Sequence, residues 1–200
     1  MLIVDEDKEL SQEINCNEVL EEEASTEENK NKNYLRELLD LGKSAAVAVI
    51  LALLIINFVF ETVSVEGKSM FSTLDNKDRL IVEKVSYHFS EPKIRDIVVI
   101  KNPENVKERF IKRVVAVAGD RVKIQDNKLY INDKVVEETY IHDNIMADFD
   151  EVTVAENSIF VMGDNRNNSK DSRMLGSISK NLVVGRAALR IYPFNKAGGL

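Results

Sequence analysis

The chain has 200 residues, 44% of them hydrophobic, and a formal net charge of −7, which allows one domain of ordinary size plus an appendage. The charge is unevenly placed: residues 1–43 hold 13 Asp/Glu and 5 Lys/Arg, whereas residues 61–200 hold 21 and 22, so the acidity belongs to the N-terminal tail and no basic cluster points to a nucleic-acid partner. A single cysteine, Cys16, excludes an intrachain disulfide, and no Cys/His spacing suits a metal.

In chain order, the tail comes first. Its segment EEEASTEENKNKN has too few apolar residues to fold, and residues 1–40 read as a disordered tail. Next comes Ser44 to Phe60, SAAVAVILALLIINFVF, 17 residues without a charge. A buried core helix would show a polar face, and this one offers only Asn57. A cleaved signal peptide needs a short basic start, and this run follows more than 40 residues of acidic chain. It reads as an uncleaved transmembrane anchor over residues 41–63, with Lys43 reaching the headgroups. Lys30, Lys32, Arg36 and Lys43 lie on its N-terminal side. The tail is therefore expected in the cytoplasm and residues 64–200 outside, in a single-pass plasma-membrane topology.

The remainder is read as mostly β. Short β-branched runs recur at 62–65, 79–84, 96–101, 110–118, 121–125, 128–131, 159–162 and 182–192. Polar turns such as Asp126-Asn127 and Asn132-Asp133 separate them. No apolar pattern of helical period runs long enough for a major helix. The expected architecture is an antiparallel, barrel-like β domain with a small hairpin-rich excursion around 121–155.

Three features bear on chemistry. Ser69, in Gly67-Lys-Ser-Met-Phe-Ser-Thr-Leu74, is a potential nucleophile that needs a base. The two histidines, His88 and His142, read as surface or loop residues. Lys112, in Arg-Phe-Ile-Lys-Arg-Val-Val-Ala-Val-Ala, shares a strand face with Phe110, Val114 and Ala116 by alternation. Burial there would lower its pKa and let it accept the serine proton; an edge-strand lysine reaching water is the structural alternative. The polar stretch Val161-Met-Gly-Asp-Asn-Arg-Asn-Asn-Ser-Lys-Asp-Ser-Arg173 holds acids and arginines able to pair and fix a loop.

Taken in order, these pieces resemble the type I signal peptidases, membrane-anchored Ser/Lys endopeptidases, in a Gram-positive-type form. The resemblance runs from about residue 44 to 194. It rests on the serine motif at 67–74, on Asp78-Arg-Leu-Ile-Val-Glu-Lys84, on Ile94-Arg-Asp-Ile-Val-Val99, on Phe110-Ile-Lys-Arg-Val-Val-Ala-Val-Ala-Gly-Asp120, and on the full Gly-Asp-Asn-Arg-x-x-Ser-x-Asp-Ser-Arg string from Gly163 to Arg173. It implies Ser69 as nucleophile and Lys112 as general base. The Ser69 backbone N–H becomes an oxyanion donor and Ser169 orients the lysine. Asp171 and Arg173 form a structural pair, with Asp164 and Arg113 supporting the same loop. Met70 and Phe71 are expected to face substrate or membrane. The implied partners are the lipid bilayer and secretory preproteins whose signal peptides carry small residues at the first and third positions before the cut; no cofactor or metal is implied.

The chain departs from the family pattern at four positions. Ser72 stands in place of a proline, Arg95 in place of a glycine, and Ala116 and Ala118 in place of a glycine and a proline. Gly67 occupies a position where some relatives carry a serine that supplies a second oxyanion donor. Ser72 motivates an alternative function, a specialised or non-enzymatic homologue in surface-fibre assembly. A self-cleaving repressor of related Ser/Lys chemistry would lack the anchor.

Overall fold

A computed structural model describes residues 38–56, 58–141 and 146–200. The acidic tail through residue 37, Cys16, Asn57 and His142 lie outside the described residues. Helix α1 spans Leu38–Ile56, long and apolar enough to cross a membrane, with its side chains exposed. Lys43 pairs with Asp40 at 3.0 Å on its first turns.

The anchor read over 41–63 includes residues that belong to a strand. β1 (Phe60–Ser64) pairs antiparallel with β2 (Arg79–Glu83), Thr62 opposite Ile81. Its β-branched residues suit a pleated, half-buried surface better than a helix.

Beyond α1 the chain is antiparallel β. β3 is Ile97–Lys101, β4 Arg109–Val117, β5 Arg121–Gln125, β6 Lys128–Ile131, β7 Lys134–Val135, β8 Phe149–Thr153, β9 Ser158–Met162, β10 Ile178–Ser179, β11 Val183–Tyr192 and β12 Gly198–Gly199. A large sheet runs β1-β2-β11-β3-β4-β9-β10, with β12 beside β11; a second, β7-β6-β5-β8, is the hairpin-rich excursion. The helices here are one-turn pieces, α2 (Ser86–Phe89) and α3 (Ser172–Leu175). The mostly β antiparallel fold expected from the sequence is the one observed.

The two hairpin turns follow from their residues. Asp126 and Asn127 have φ of 50° and 61°, and Asn132 and Asp133 have 51° and 65°. Two left-handed residues in a two-residue loop give the turn whose twist matches the strands, and Asn and Asp tolerate it.

Within the large sheet β3 and β9 are buried on both faces, and period-2 alternation divides the β9 side chains between two cores. In β9, Ile159 and Val161 join Val98, Ile100, Val114 and Ile178, whereas Phe160 and Met162 join Val122, Ile124 and Leu129 of the excursion. β4 breaks the alternation once. Val114 lies opposite Val161 and Ala116 opposite Phe160, so an extra residue bulges between them. Phe110 and Val114 therefore share a cluster beside Lys112, and Ala116 turns to the excursion core. The sequence-based grouping of Ala116 with Lys112 fails for this reason.

Arg95 has φ of 78°, a conformation that costs an L-residue about 1 kcal/mol and glycine nothing. Its N–H donates to the Val114 carbonyl at 2.8 Å, which holds the turn in place. Arg95→Gly is expected to raise stability by about 0.5–1 kcal/mol, read as a rise in thermal midpoint; a fall would contradict the strain.

Candidate active site

The serine loop joins β1 to β2. It is closed by Val65 N–H donating to Asp78 O and Lys77 N–H to Val65 O, both at 2.8 Å. Its turn is stapled by Met70 and Leu74, 1% and 0% exposed, which pack on Val65, Leu80, Ile97 and Ala187. Met70 is thus a core residue, taken off the surface by the apolar contacts that anchor the loop; one side of it lines the cleft described below. Phe71, next in sequence, is exposed. Arg190 of β11 secures the far side of the loop, donating to the Thr73 carbonyl at 3.0 Å and to the buried carboxylate of Asp78 at 3.1 Å.

Ser69 is held from the other side by the 163–173 loop. Asn165 donates its backbone N–H to Ser69 O and its side-chain Nδ2 to Lys68 O, each at 3.0 Å. The contact is close: a Cβ on Gly163 would lie 2.4 Å from Ser69 O and 2.2 Å from Ser169 Oγ. Only glycine fits where the two loops meet.

Lys112, on β4, is 2% exposed. Its Nζ donates to Ser69 Oγ at 2.8 Å, although the two residues are 43 apart in sequence. β4 has a free edge at Lys112, since β9 pairs only from Arg113 onward, but the side chain does not reach water as the edge-strand alternative requires: it is buried, with its Nζ 5.3 Å from the centre of the Phe110 ring. Burial lowers the Lys112 pKa from 10.5 to about 8; Asp171 and Asp164 oppose the fall and Arg173 assists it. Among the described residues, the Ser69 N–H donates to no acceptor.

The charged residues of the loop pair as buried forks. Arg113 donates from Nε to Asp164 Oδ1 at 2.9 Å and from Nη2 to Oδ2 at 2.7 Å. Thr73 Oγ1 donates to the same carboxylate at 2.5 Å, tying the loop to the serine turn. Arg173 grips Asp171 through Nε and Nη2, both at 2.8 Å, and Gly163 N–H donates to Asp171 at 3.0 Å. Burial raises the Asp171 pKa, but these donors outweigh it and hold the carboxyl below its ordinary value. Ser169 Oγ is buried on the same loop, near enough to the Asp171 carboxyl to help hold its pKa down. No group of His, Cys, Asp or Glu suited to a metal occurs among the described residues.

Sequence reasoning gave no role to three further residues. Arg166, with no side-chain exposure, donates to Glu138 through Nη1 at 2.8 Å and Nη2 at 2.5 Å, and to Gly163 O through Nε at 3.1 Å. Tyr140 donates to Glu138 at 2.6 Å, and its ring lies 4.1 Å from the Arg113 guanidinium carbon. The excursion thus reaches back to clamp the loop. Arg166 lay inside the quoted motif; Glu138 and Tyr140 belong to no motif, and nothing in their spacing marks them.

A cleft of about 520 Å³ opens beside Ser69, lined by Val63–Glu66 and Met70 on one wall and by Val99 and Lys107–Lys112 on the other. A buried, neutralisable lysine on a serine hydroxyl at the end of an open cleft is the apparatus for acyl transfer from an extended chain.

Comparison with known proteins agrees. The family described as "Signal peptidase, peptidase S26" matches residues 38–192. The chain is 40% identical over 187 residues to signal peptidase I T of Bacillus subtilis (strain 168), covering 88% of this chain and 96% of that one. It is 39% identical over 161 residues to probable signal peptidase I-1 of Synechocystis sp. (strain ATCC 27184 / PCC 6803 / Kazusa), covering 77% and 82%. A crystal structure of a signal peptidase I from Enterococcus faecalis V583 aligns with 48% of this chain and 97% of that one, at 31% identity and a TM-score of 0.44. With a family match that takes in both sheets and the relatives spanning most of their own length, the chain belongs to the signal peptidase family, peptidase S26.

Proposed function

We propose that this chain is a membrane-anchored serine endopeptidase that cleaves signal peptides from secretory preproteins through Ser69 and Lys112. The observation that carries the assignment of the dyad is the 2.8 Å contact between the Nζ of the buried Lys112 and Ser69 Oγ. Neutral Lys112 accepts the proton as Ser69 Oγ attacks the scissile carbonyl. The Ser69 N–H donates to the oxygen that becomes negative. Lys112 then protonates the departing amine as the C–N bond breaks, and an ester on Ser69 remains. Water, deprotonated by Lys112, attacks the ester; the acid leaves and Ser69 recovers its proton.

The substrate adds as an extended strand in the cleft, with small residues at the first and third positions before the cut. Asp164, Arg113, Asp171 and Arg173 hold the loop that carries Asn165, and through it the Ser69 carbonyl. Ser169 brings a buried hydroxyl to the same neighbourhood, in keeping with an orienting role for the lysine. α1 is the anchor, with the preceding tail cytoplasmic and the β domain outside the plasma membrane. Such tethering gives a membrane-embedded substrate a high effective concentration.

The test is cleavage of a secretory preprotein in liposomes across pH. Cleavage after a small residue is expected, with kcat/KM rising as Lys112 loses its proton, half-maximal near the folded-state value of about 8 and level above it. A folded protein inert on several preproteins would favour the specialised, non-enzymatic homologue. A profile flat from pH 6 to 10 would remove Lys112 as base.

A further inference from the structure

Asn165 holds both peptide groups that flank Ser69. Its backbone N–H donates to Ser69 O and its Nδ2 to Lys68 O, each at 3.0 Å. The residue is firmly mounted. Asp164 before it is gripped by Arg113, and Arg166 after it grips Glu138. Its own carbonyl accepts from the Asn168 N–H at 3.0 Å. Asn165 thus stands between two buried ion pairs, and its side-chain amide reaches a residue 97 positions back in the chain.

The side-chain bond fixes a direction. The Lys68–Ser69 peptide is trans, and in a trans peptide the C=O and the N–H leave opposite edges of one plane. A donor held on the Lys68 carbonyl therefore aims the Ser69 N–H the other way, away from the 163–173 loop. Ser69 lines the cleft, and its N–H donates to no acceptor among the described residues. To re-aim it, the plane must turn about its long axis, which breaks the bond to Lys68 O. The second bond, to Ser69 O, holds the next plane and resists a compensating rotation within Ser69. Inside the turn, the Phe71 N–H also meets Lys68 O at 3.2 Å, a longer bond than the one Asn165 supplies. Gly67 brings no hydroxyl to the site, and its own N–H is engaged by Asn76 Oδ1 at 3.0 Å, so the aim of the Ser69 N–H carries more weight.

We propose that Asn165 is a positioning residue for the oxyanion: by holding Lys68 O, its side chain aims the Ser69 N–H at the oxygen that becomes negative during attack. This rests on the signal-peptide reading above. The amide acts through the peptide plane and not by contact with substrate.

The experiment uses the full chain in liposomes and two variants. Asn165→Ala keeps the backbone contact to Ser69 O and removes Nδ2; Asn165→Asp keeps the shape of the side chain and removes the donor. Each is expected to lower kcat/KM on a preprotein about 10–100-fold, less than outright loss of an oxyanion donor because Phe71 still holds Lys68 O. The loss falls in kcat, and the pH midpoint of cleavage by Asn165→Ala stays that of the full chain. Asn168→Ala, exposed on the same loop, keeps full activity. A peptide boronic acid carrying the residues before the cut reports the oxyanion directly. Ser69 Oγ bonds to boron, its proton passes to Lys112, and an oxygen of the resulting anion takes the oxyanion position. Its affinity should fall by the same factor as kcat/KM. The matching peptide alcohol, which forms no bond to Ser69, should bind within about twofold of its affinity for the full chain. Equal losses for boronic acid and alcohol would assign Asn165 to the shape of the cleft and overturn the inference. Unchanged kcat/KM, or a fall in kcat/KM with unchanged boronic acid affinity, would overturn it too, and each of these spares the signal-peptide reading. A full chain that cuts no preprotein overturns both.

Discussion

Ser69→Ala and Lys112→Met are each expected to lower preprotein cleavage by about 10³-fold or more, and the double variant to be little worse than either. The two groups act as a unit, because a serine without its base is a poor nucleophile and a base without the serine has no proton to take. Their effects on stability should part company. At neutral pH Lys112 is charged in both the folded and unfolded chain, and the folded state bears the cost of burying it. The drop from 10.5 to about 8 corresponds to about 3 kcal/mol. That cost is full below pH 8 and fades as pH rises toward 10.5, where the unfolded chain also loses the proton. Lys112→Met should therefore be inactive and more stable, by up to about 3 kcal/mol at pH 7, with the gain shrinking between pH 8 and 10.5. Ser69→Ala should be inactive without such a gain. Unfolding midpoints and initial cleavage rates on the same preparations check both. A Lys112→Met protein that still cuts would end the dyad assignment.

Glu138→Gln should cost about 3–5 kcal/mol, because it leaves the fully buried Arg166 guanidinium without its carboxylate. For a domain of this size that is a fall of roughly 10 °C or more in thermal midpoint. Replacing both partners by apolar residues of similar volume, Glu138→Leu with Arg166→Met, should recover much of the loss, since desolvation of both charges is removed together. Activity should not recover in step. Arg166 also donates to Gly163 O, at the glycine that meets Ser69 O, so the double variant is expected to fold and to cleave with reduced kcat. A single-variant cost below 1 kcal/mol, or full activity in the double variant, would show that the excursion does not clamp the loop.

Much of the fold was legible because local chemistry and tertiary demand agree. The runs 121–125 and 128–131 are β5 and β6 as observed, since alternating apolar residues end at an Asp-Asn turn that accepts positive φ. The strands that escaped notice lack such signals. β7, β10 and β12 are two residues each, and β8 reads FDEVT, mostly polar on both sides. Their pairing is imposed by neighbours rather than by propensity. The reading of Phe60–Val63 as anchor failed at a boundary where apolar residues serve helix and strand equally well.

By itself the sequence determined the element order, the apolar helix, and the serine, the lysine and the charged loop as the places where chemistry would lie. It could do so because period-2 patterning, turn residues and the Gly163–Arg173 string are properties of contiguous chain. Only the tertiary structure decided how these places meet. The 2.8 Å approach of Lys112 to Ser69 depends on the β1–β2 loop meeting β4, three places from β2 in the sheet. The burial of Met70 depends on a core assembled from four other segments, and the turning of Ala116 on one bulge in β4. Glu138 and Tyr140 reach the charged loop from the segment that follows β7 of the other sheet. Each is a contact between residues far apart in the chain, and proximity of that kind is set by packing and strand register, which no local pattern encodes.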